Sequence, residues 1–298
     1  MTGPGAAAIT VLGSINMDLV VTCSSLPQPG QTLLGKGFAT ICGGKGANQA
    51  IAVARGGGQV QLIGAVGDDG FGAELLANLV GNGVHTGFVR RHSGPSGIAA
   101  IAVDDNGENT IVVVSGANGS MGTLTAGEQE VIGESALVVC QLEIPMDTVV
   151  HAGAIVAANG KPLLLNPSPV QTLSWALLSN TSLLVLNEGE AAQLGAAAVE
   201  EVQHVVTTLG GAGAHYRGPD GQQFTVPAPR VRAVDTTGAG DAFTGALAVA
   251  WVEGKPPLQS VQWACAAGAL AATTAGASVS APYRSAIAEL VATTYRAL

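Results

Sequence analysis

The stretch Val234-Asp235-Thr236-Thr237-Gly238-Ala239-Gly240-Asp241-Ala242-Phe243-Thr244-Gly245 joins an extended segment to the start of a helix. Val231 to Val234 has the β-branched character of a strand end, and Ala242 to Val252 is an Ala/Leu/Val run of helical character. Gly238 and Gly240 carry no Cβ, so the backbone can turn sharply there and approach a ligand closely. The first N–H groups of a helix have no partner inside it, and the helix dipole favours an anion beside them, with phosphate the obvious candidate. Asp241 admits two readings. A carboxylate at a helix start can simply cap it, which accounts for most Asp residues so placed. The flanking glycines and a second acid, Asp235, favour the other: a base beside an anion hole, as phosphoryl transfer requires.

Composition narrows the setting for such a site. A chain of 298 residues with 47% hydrophobic and 11% charged residues can bury a sizeable core, and its 42 glycines form no repeat, which excludes collagen-like and disordered classes. The formal charge of −9 argues against nucleic acid or an anionic membrane as partner, since both need a basic footprint. Any phosphate must then be held by backbone N–H groups, metal and a few cations. No apolar run is long enough to span a bilayer, and Met1 to Ala8 lacks the positive start and apolar core of a signal peptide, so a soluble cytoplasmic protein is expected. Cys23, Cys42, Cys140 and Cys265 are scattered and read as buried free thiols, and the histidines form no metal-ligand spacing.

Taken in order, the chain alternates strands and helices, the pattern of βαβ units and a parallel sheet. Ile9 to Leu12 is a short strand, with Asn16 and Asp18 past its carboxyl end, where open α/β sheets bind ligands. The two lie two apart in extended chain and share a face, although an Asx turn explains them almost equally well. A Gly-x-Gly-x-x-Gly turn is missing, which removes a dinucleotide-linked dehydrogenase. Extended chain continues over Leu19 to Thr22, and Thr32 to Ile41 reads as a further strand. Gly43-Gly44-Lys45-Gly46-Ala47-Asn48-Gln49-Ala50 opens a helix without the Walker spacing, and Lys45 and Asn48 can face one ligand from its first turn. Val60 to Val66 is a strand and Phe71 to Val80 a helix. Gly97 to Val103 and Thr110 to Val114 form a hairpin that interrupts the alternation, so a small β layer, read as a lid, is expected from about 15–41 and 95–115. Strands follow at Ala136 to Gln141, Pro162 to Leu165, Leu183 to Leu186 and Val205 to Leu209, with a helix from Met146 to Ala158. Asn187 and Glu190 suit metal-bound water or phosphate, but a capping box explains their spacing better. Gly210-Gly211-Ala212-Gly213 is a second loop that could admit a nucleotide. Tyr216 and Gln222 to Val226 flank a turn, Leu258 to Thr274 is a long helix, Gly276 to Pro282 a loop, and Ser285 to Ala297 the last helix.

These residues resemble the ribokinase family of sugar kinases from Ile9 to the final helix. The likeness rests on Gly13-Ser14-Ile15-Asn16-Met17-Asp18, on the Gly43 to Ala50 run, on Asn187-Glu188-Gly189-Glu190 and on Asp235 to Asp241. It implies a single α/β domain over residues 1–298, with a central, mostly parallel sheet flanked by helices and the small β lid. It also implies a Mg-ATP-dependent kinase acting on the 5-hydroxyl of D-ribose. By the same resemblance Asn16, Asp18, Gly44, Lys45, Asn48 and Glu143 hold the sugar, Asp241 is the general base, and Gly238, Ala239 and Gly240 are the anion hole. Asn187 and Glu190 organise Mg2+ and phosphate through water. Thr208, Gly210 and Gly213 lie near ATP, with Cys265 on the adenine-facing helix. Asp235, Thr237, Thr274, Gly276 and Ser280 match a monovalent-cation site, usually K+, and the β lid implies a homodimer. The segment Ala191 to Val205 is short for the family, so a helix on the nucleotide side is expected to be reduced or missing. Two rival readings share the scaffold: a kinase for fructose, a deoxy sugar or a nucleoside, and a catalytically silent sugar-binding sensor.

Overall fold

The computed structural model describes residues 9–295. The reading of Met1 to Ala8 and the last two residues assigned to the final helix lie outside that range. The first half of the chain comprises β1 (Ile9–Leu12), β2 (Asn16–Thr22), β3 (Gly37–Gly43), α1 (Lys45–Arg55), β4 (Val60–Gly67), α2 (Gly70–Gly81), β5 (His85–His92), β6 (Gly97–Val103) and β7 (Asn109–Val114). Next come α3 (Ala126–Glu134), β8 (Leu137–Cys140), α4 (Met146–Ala158), β9 (Leu163–Leu165), α5 (Trp175–Ser179), β10 (Leu183–Asn187), α6 (Glu188–Leu194), α7 (Ala196–Glu201), β11 (His204–Thr208), β12 (Ala214–Arg217) and β13 (Gln223–Val226). Four helices close the chain: α8 (Ala239–Val252), α9 (Pro257–Ala271), α10 (Ala277–Ser280) and α11 (Arg284–Thr294).

Nine strands form one sheet in the order β13-β12-β11-β10-β9-β8-β1-β4-β5. The strands from β11 to β5 run parallel, and the β12 and β13 hairpin adds an antiparallel edge. The central strands are unbroken apolar runs because helices cover both faces. Val11 faces one core with Leu247 and Ala264, while its neighbour Leu12 faces the other with Val149 and Val156. From β1 the chain moves first to β4 and β5 on one side and only later to β8 on the other. The carboxyl end of β1 is therefore a switch point, where such sheets open a crevice.

The second sheet has the order β3-β2-β6-β7, with β2 and β6 parallel and the outer pairs antiparallel. Asn16 on β2 pairs with Gly43 on one side and Gly97 on the other. A Cβ at Gly43 would stand 2.4 Å from Oδ2 of Asp18, and one at Gly97 2.3 Å from Oδ1 of Asn16. The glycines make room for the two polar side chains.

Several sequence expectations need correction. The strand expected from Thr32 begins only at Gly37. No strand forms at Val231 to Val234: Pro227 and Pro229 end the sheet, Val234 is 66% exposed, and its N–H donates to the Ala272 carbonyl instead of to a ladder. α8 starts at Ala239, three residues before Ala242, so Asp241 lies inside its first turn. Over Ala191 to Val205 the chain has only short helices, α6 and α7, broken at Gly195 with φ +85°, which does not overturn the reduced helix expected there. α10 occupies the loop assigned to 276–282. β5, α3 and α5 have no counterpart in the sequence reading; β5 is an edge strand ending Arg-Arg-His, too polar to read as a buried strand.

Candidate active site

Asp241 is 9% exposed, and its carboxylate turns away from the end of its own helix. Oδ2 accepts from Asn48 Nδ2 at 3.0 Å and Oδ1 from Gln49 Nε2 at 3.0 Å, both on α1. The capping interpretation of Asp241 therefore fails. The cap position of α8 is Gly238, with φ +77° and no side-chain hydrogen bond to the helix start. A Cβ at Gly238 would lie 2.7 Å from Cα of Ala277, so only glycine fits the turn. Gly238, Gly240 and Asp241 line one pocket together with Lys45, Asn187, Glu190 and Thr208. Its volume of about 150 Å3 is smaller than the roughly 300–1,000 Å3 of sites that engulf a whole small ligand, which suits a point where two ligands meet.

On the β1 side, α1 also starts at a positive-φ glycine, Gly44, without a side-chain cap, and Glu143 Oε2 accepts from the Lys45 N–H at 3.2 Å. Ser14 Oγ donates to the same oxygen, tying the turn after β1 to the turn after β8. Burial, reinforced by the charges of Glu143 and Asp241, pushes the Asp18 carboxyl up to about 7. Burial works against the Lys45 ammonium, but Asp241, Glu143 and Glu190 outweigh it and hold its pKa above the ordinary lysine value. Asp18, Glu143, Asp241 and Lys45 thus form one electrostatic group, carboxylates gathered around a single cation. Asn16 is 2% exposed and accepts at Oδ1 from Asn118 Nδ2 at 2.7 Å. Asn118 is itself fixed by the Ile15 N–H and carbonyl.

On the opposite wall, Asn187 and Glu190 make the capping box favoured from their spacing, with both reciprocal bonds at 2.8 Å, and both also line the pocket. Gly210 and Gly213 have φ of +54° and +112° in the turn after β11, the first exposed and the second buried against Val226. Cys265 is 4% exposed and belongs to the core beside Val261 and Ala264, not to the pocket lining, and burial pushes its thiol up to about 12. Asp235 joins two loops: Oδ1 accepts from the Thr237 N–H at 2.8 Å and Oδ2 from the Gly276 N–H at 2.9 Å. Burial alone would raise its carboxyl, and these bonds hold it below the ordinary aspartate value. Thr274 lies two residues before Gly276, and the Ser280 hydroxyl donates to the Ala277 carbonyl.

Sequence reasoning missed the groups behind these. Gln49, Gln141, Asn166 and Asn118 are all buried, and each hydrogen-bonds a partner at least 19 positions away. Gln49 Nε2 also donates to Asn166 Oδ1 at 3.1 Å, and Gln141 Nε2 to Gln49 Oε1 at 2.6 Å. Among the described residues, the buried side-chain polar atoms without a partner are Asn48 Oδ1, Gln141 Oε1 and Trp263 Nε1. An orphaned buried acceptor costs about 1–3 kcal/mol, and two of these three atoms belong to side chains that hydrogen-bond Asp241 or Gln49. No group of three or more His, Cys, Asp or Glu side chains among the described residues is arranged to hold a metal directly.

A family model described as pfkB family carbohydrate kinase matches residues 6–284. The chain is 40% identical to a ribokinase of Schizosaccharomyces pombe over 301 aligned positions, covering 92% of this chain and 94% of that one. It is 39% identical to a ribokinase of Bacillus subtilis, covering 95% and 99% respectively. The structure of Arabidopsis thaliana ribokinase complexed with ribose and ATP superposes with a TM-score of 0.91 at 31% identity, covering 96% of this chain and 99% of that one.

Proposed function

The chain belongs to the pfkB family of carbohydrate kinases, and from that premise we propose that it transfers the terminal phosphoryl group of ATP to the 5-hydroxyl of D-ribose, giving D-ribose 5-phosphate. One observation carries the reading: a buried carboxylate gripped by two side-chain amides shares a pocket with a helix start that no side chain caps.

The chemistry follows from those groups. A sugar hydroxyl is too weak an acid to ionise at neutral pH, so Asp241 takes its proton as the oxygen–phosphorus bond forms and the bond to ADP breaks. The N–H groups at Gly238, Ala239 and Gly240 meet the negative charge of the group in transfer. Asn16, Asp18, Gly44, Lys45, Asn48 and Glu143 hold the sugar in line, and a site that pairs each hydroxyl discriminates against acceptors lacking one. Asn48 Oδ1, buried and unpartnered, suits a sugar hydroxyl as its donor. Thr208, Gly210, Gly213 and Asn187 form the ATP side, and Cys265 belongs to α9, the helix assigned to the adenine.

Mg2+ accompanies ATP in this reading. The capping box uses one oxygen of Glu190 and leaves the rest of its carboxylate to the pocket, an oxygen donor suited to a hard cation reached through water. When bound, Mg2+ neutralises phosphate charge. K+ is assigned to the loops carrying Asp235, Thr237, Thr274, Gly276 and Ser280, where the Asp235 carboxylate, kept ionised by the N–H groups of Thr237 and Gly276, supplies an oxygen of the kind a hard cation takes. The smaller sheet acts as lid over the sugar and as contact for a homodimer. In support, Ile111, Val112, Val113 and Val114 of β7 are each about half exposed or more, an apolar row on an edge strand. ATP dependence and four free cysteines favour the cytoplasm, and among the described residues no helix is long and apolar enough to cross a membrane.

The test is ADP formation from Mg-ATP with D-ribose, fructose, deoxyribose and adenosine, with and without K+. Ribose-dependent turnover stimulated by K+ is expected. Preference for another acceptor would overturn the substrate assignment, and ribose binding without ADP formation would make the protein a sensor.

A further inference from the structure

The buried amides behind Asp241 form a chain whose polarity is set from one end. Asn166 Nδ2 donates to the Val185 carbonyl at 2.9 Å, and a carbonyl can only accept, so Asn166 must turn Oδ1 toward Gln49. Gln49 must answer with Nε2, whose second hydrogen goes to Asp241 Oδ1, and its Oε1 then accepts from Gln141 Nε2. Gln141 Oε1 is left without a partner, 1.9 Å from where a Cβ at Gly13 would lie. A second glycine makes the reach possible: at Gly245 on α8 a Cβ would sit 2.5 Å from that of Ala52, so α1 and α8 pack closely enough for Gln49 to span them. Gln49 is fully buried and lines no part of the pocket.

We propose that Gln49 is a positioning residue for phosphoryl transfer: it clamps Oδ1 of Asp241 from the protein interior and thereby presents Oδ2 as the oxygen that takes the acceptor proton. The relay through Asn166 and Val185 fixes which way the Gln49 amide faces, so the base is oriented by the sheet and not by the substrate. The inference rests on Asp241 being the base.

The test compares Gln49→Leu with a control that loses a remote buried hydrogen bond, Thr181→Val, whose hydroxyl donates to the Leu177 carbonyl. Loss of aim without loss of contact with either ligand lowers kcat of Gln49→Leu by about 10- to 100-fold, with KM for D-ribose and ATP each within about threefold of wild type. Thr181→Val leaves all three within about twofold despite its lower Tm. In the Asp241→Asn background, Gln49→Leu produces no further loss of kcat. An unchanged kcat in Gln49→Leu, a loss expressed mainly in KM, or a full additional loss on top of Asp241→Asn overturns the proposal. Should Gln49→Leu not fold, the assigned Gln49 side-chain amide signals report instead: one of the two protons shifts in Asp241→Asn, and two unmoved protons overturn the clamp. Wild-type turnover by Asp241→Asn would instead refute the base assignment itself, an outcome distinct from the failure of the clamp.

Discussion

α6 and α8 begin on opposite walls of one pocket, and they treat their unpartnered N–H groups in opposite ways. At α6 the Asn187 and Glu190 side chains satisfy the backbone of the first turn reciprocally, and no phosphate is needed. At α8 the cap is a left-handed glycine with no side chain to give, and the only acid of the first turn is drawn off by amides from α1. A helix start becomes an anion site where the groups that would cap it are withheld or engaged elsewhere. Asn187 and Glu190, half committed to each other, act on the pocket only with the oxygens that remain.

The largest break in that contrast is Gly238→Ala. With no room for a Cβ and a left-handed φ, the first turn of α8 must move, which lowers Tm, and loss of aimed donors lowers kcat by about 10²- to 10³-fold, checked by steady-state ADP formation below the lowered Tm, where the variant is folded. Removing the cap at the other wall acts on stability first. Asn187→Ala costs about 1 kcal/mol of stability, read as a drop in Tm of about 2–4 °C, and raises the Mg2+ concentration needed for half-maximal rate.

The smallest effect sharpens the electrostatic side. Asp18 has its pKa raised from 3.8 to about 7 in the ligand-free fold, so between those values the folded protein binds more protons than the unfolded chain and its stability falls as pH rises. Asp18→Asn, neutral throughout, escapes that loss. Its Tm advantage over wild type in the absence of sugar is therefore larger at pH 8 than at pH 5 and levels off above pH 7. A constant difference across that range would remove the charge crowding inferred around Lys45.

What was legible in the sequence was what glycine and spacing encode. Gly238 and Gly44 punctuate helix starts, the Asn187 and Glu190 spacing is a local capping signal, and short unbroken apolar runs alternating with helices gave the parallel strands. The Asp241 carboxylate could be singled out, but not its role against a cap, because the deciding partners are 192 and 193 positions away. Gln49 was visible only as part of a motif, since its links to Asn166 and Gln141 span 117 and 92 positions and leave no local pattern. Val231 to Val234 misled for the opposite reason: β-branched residues favour a strand, but Pro227 and Pro229 had already removed the donors that a strand needs.

The central claim is that the carboxylate beside the open helix start moves a proton during phosphoryl transfer and does not merely hold the sugar. Its most direct measurement pairs D-ribose-dependent ADP formation by Asp241→Asn with the calorimetric affinity of the same protein for D-ribose. Turnover reduced by about 10²- to 10⁴-fold with ribose affinity kept within about tenfold is the expected result. Turnover within about threefold of wild type, or a loss wholly accounted for by failure to bind ribose, would contradict it.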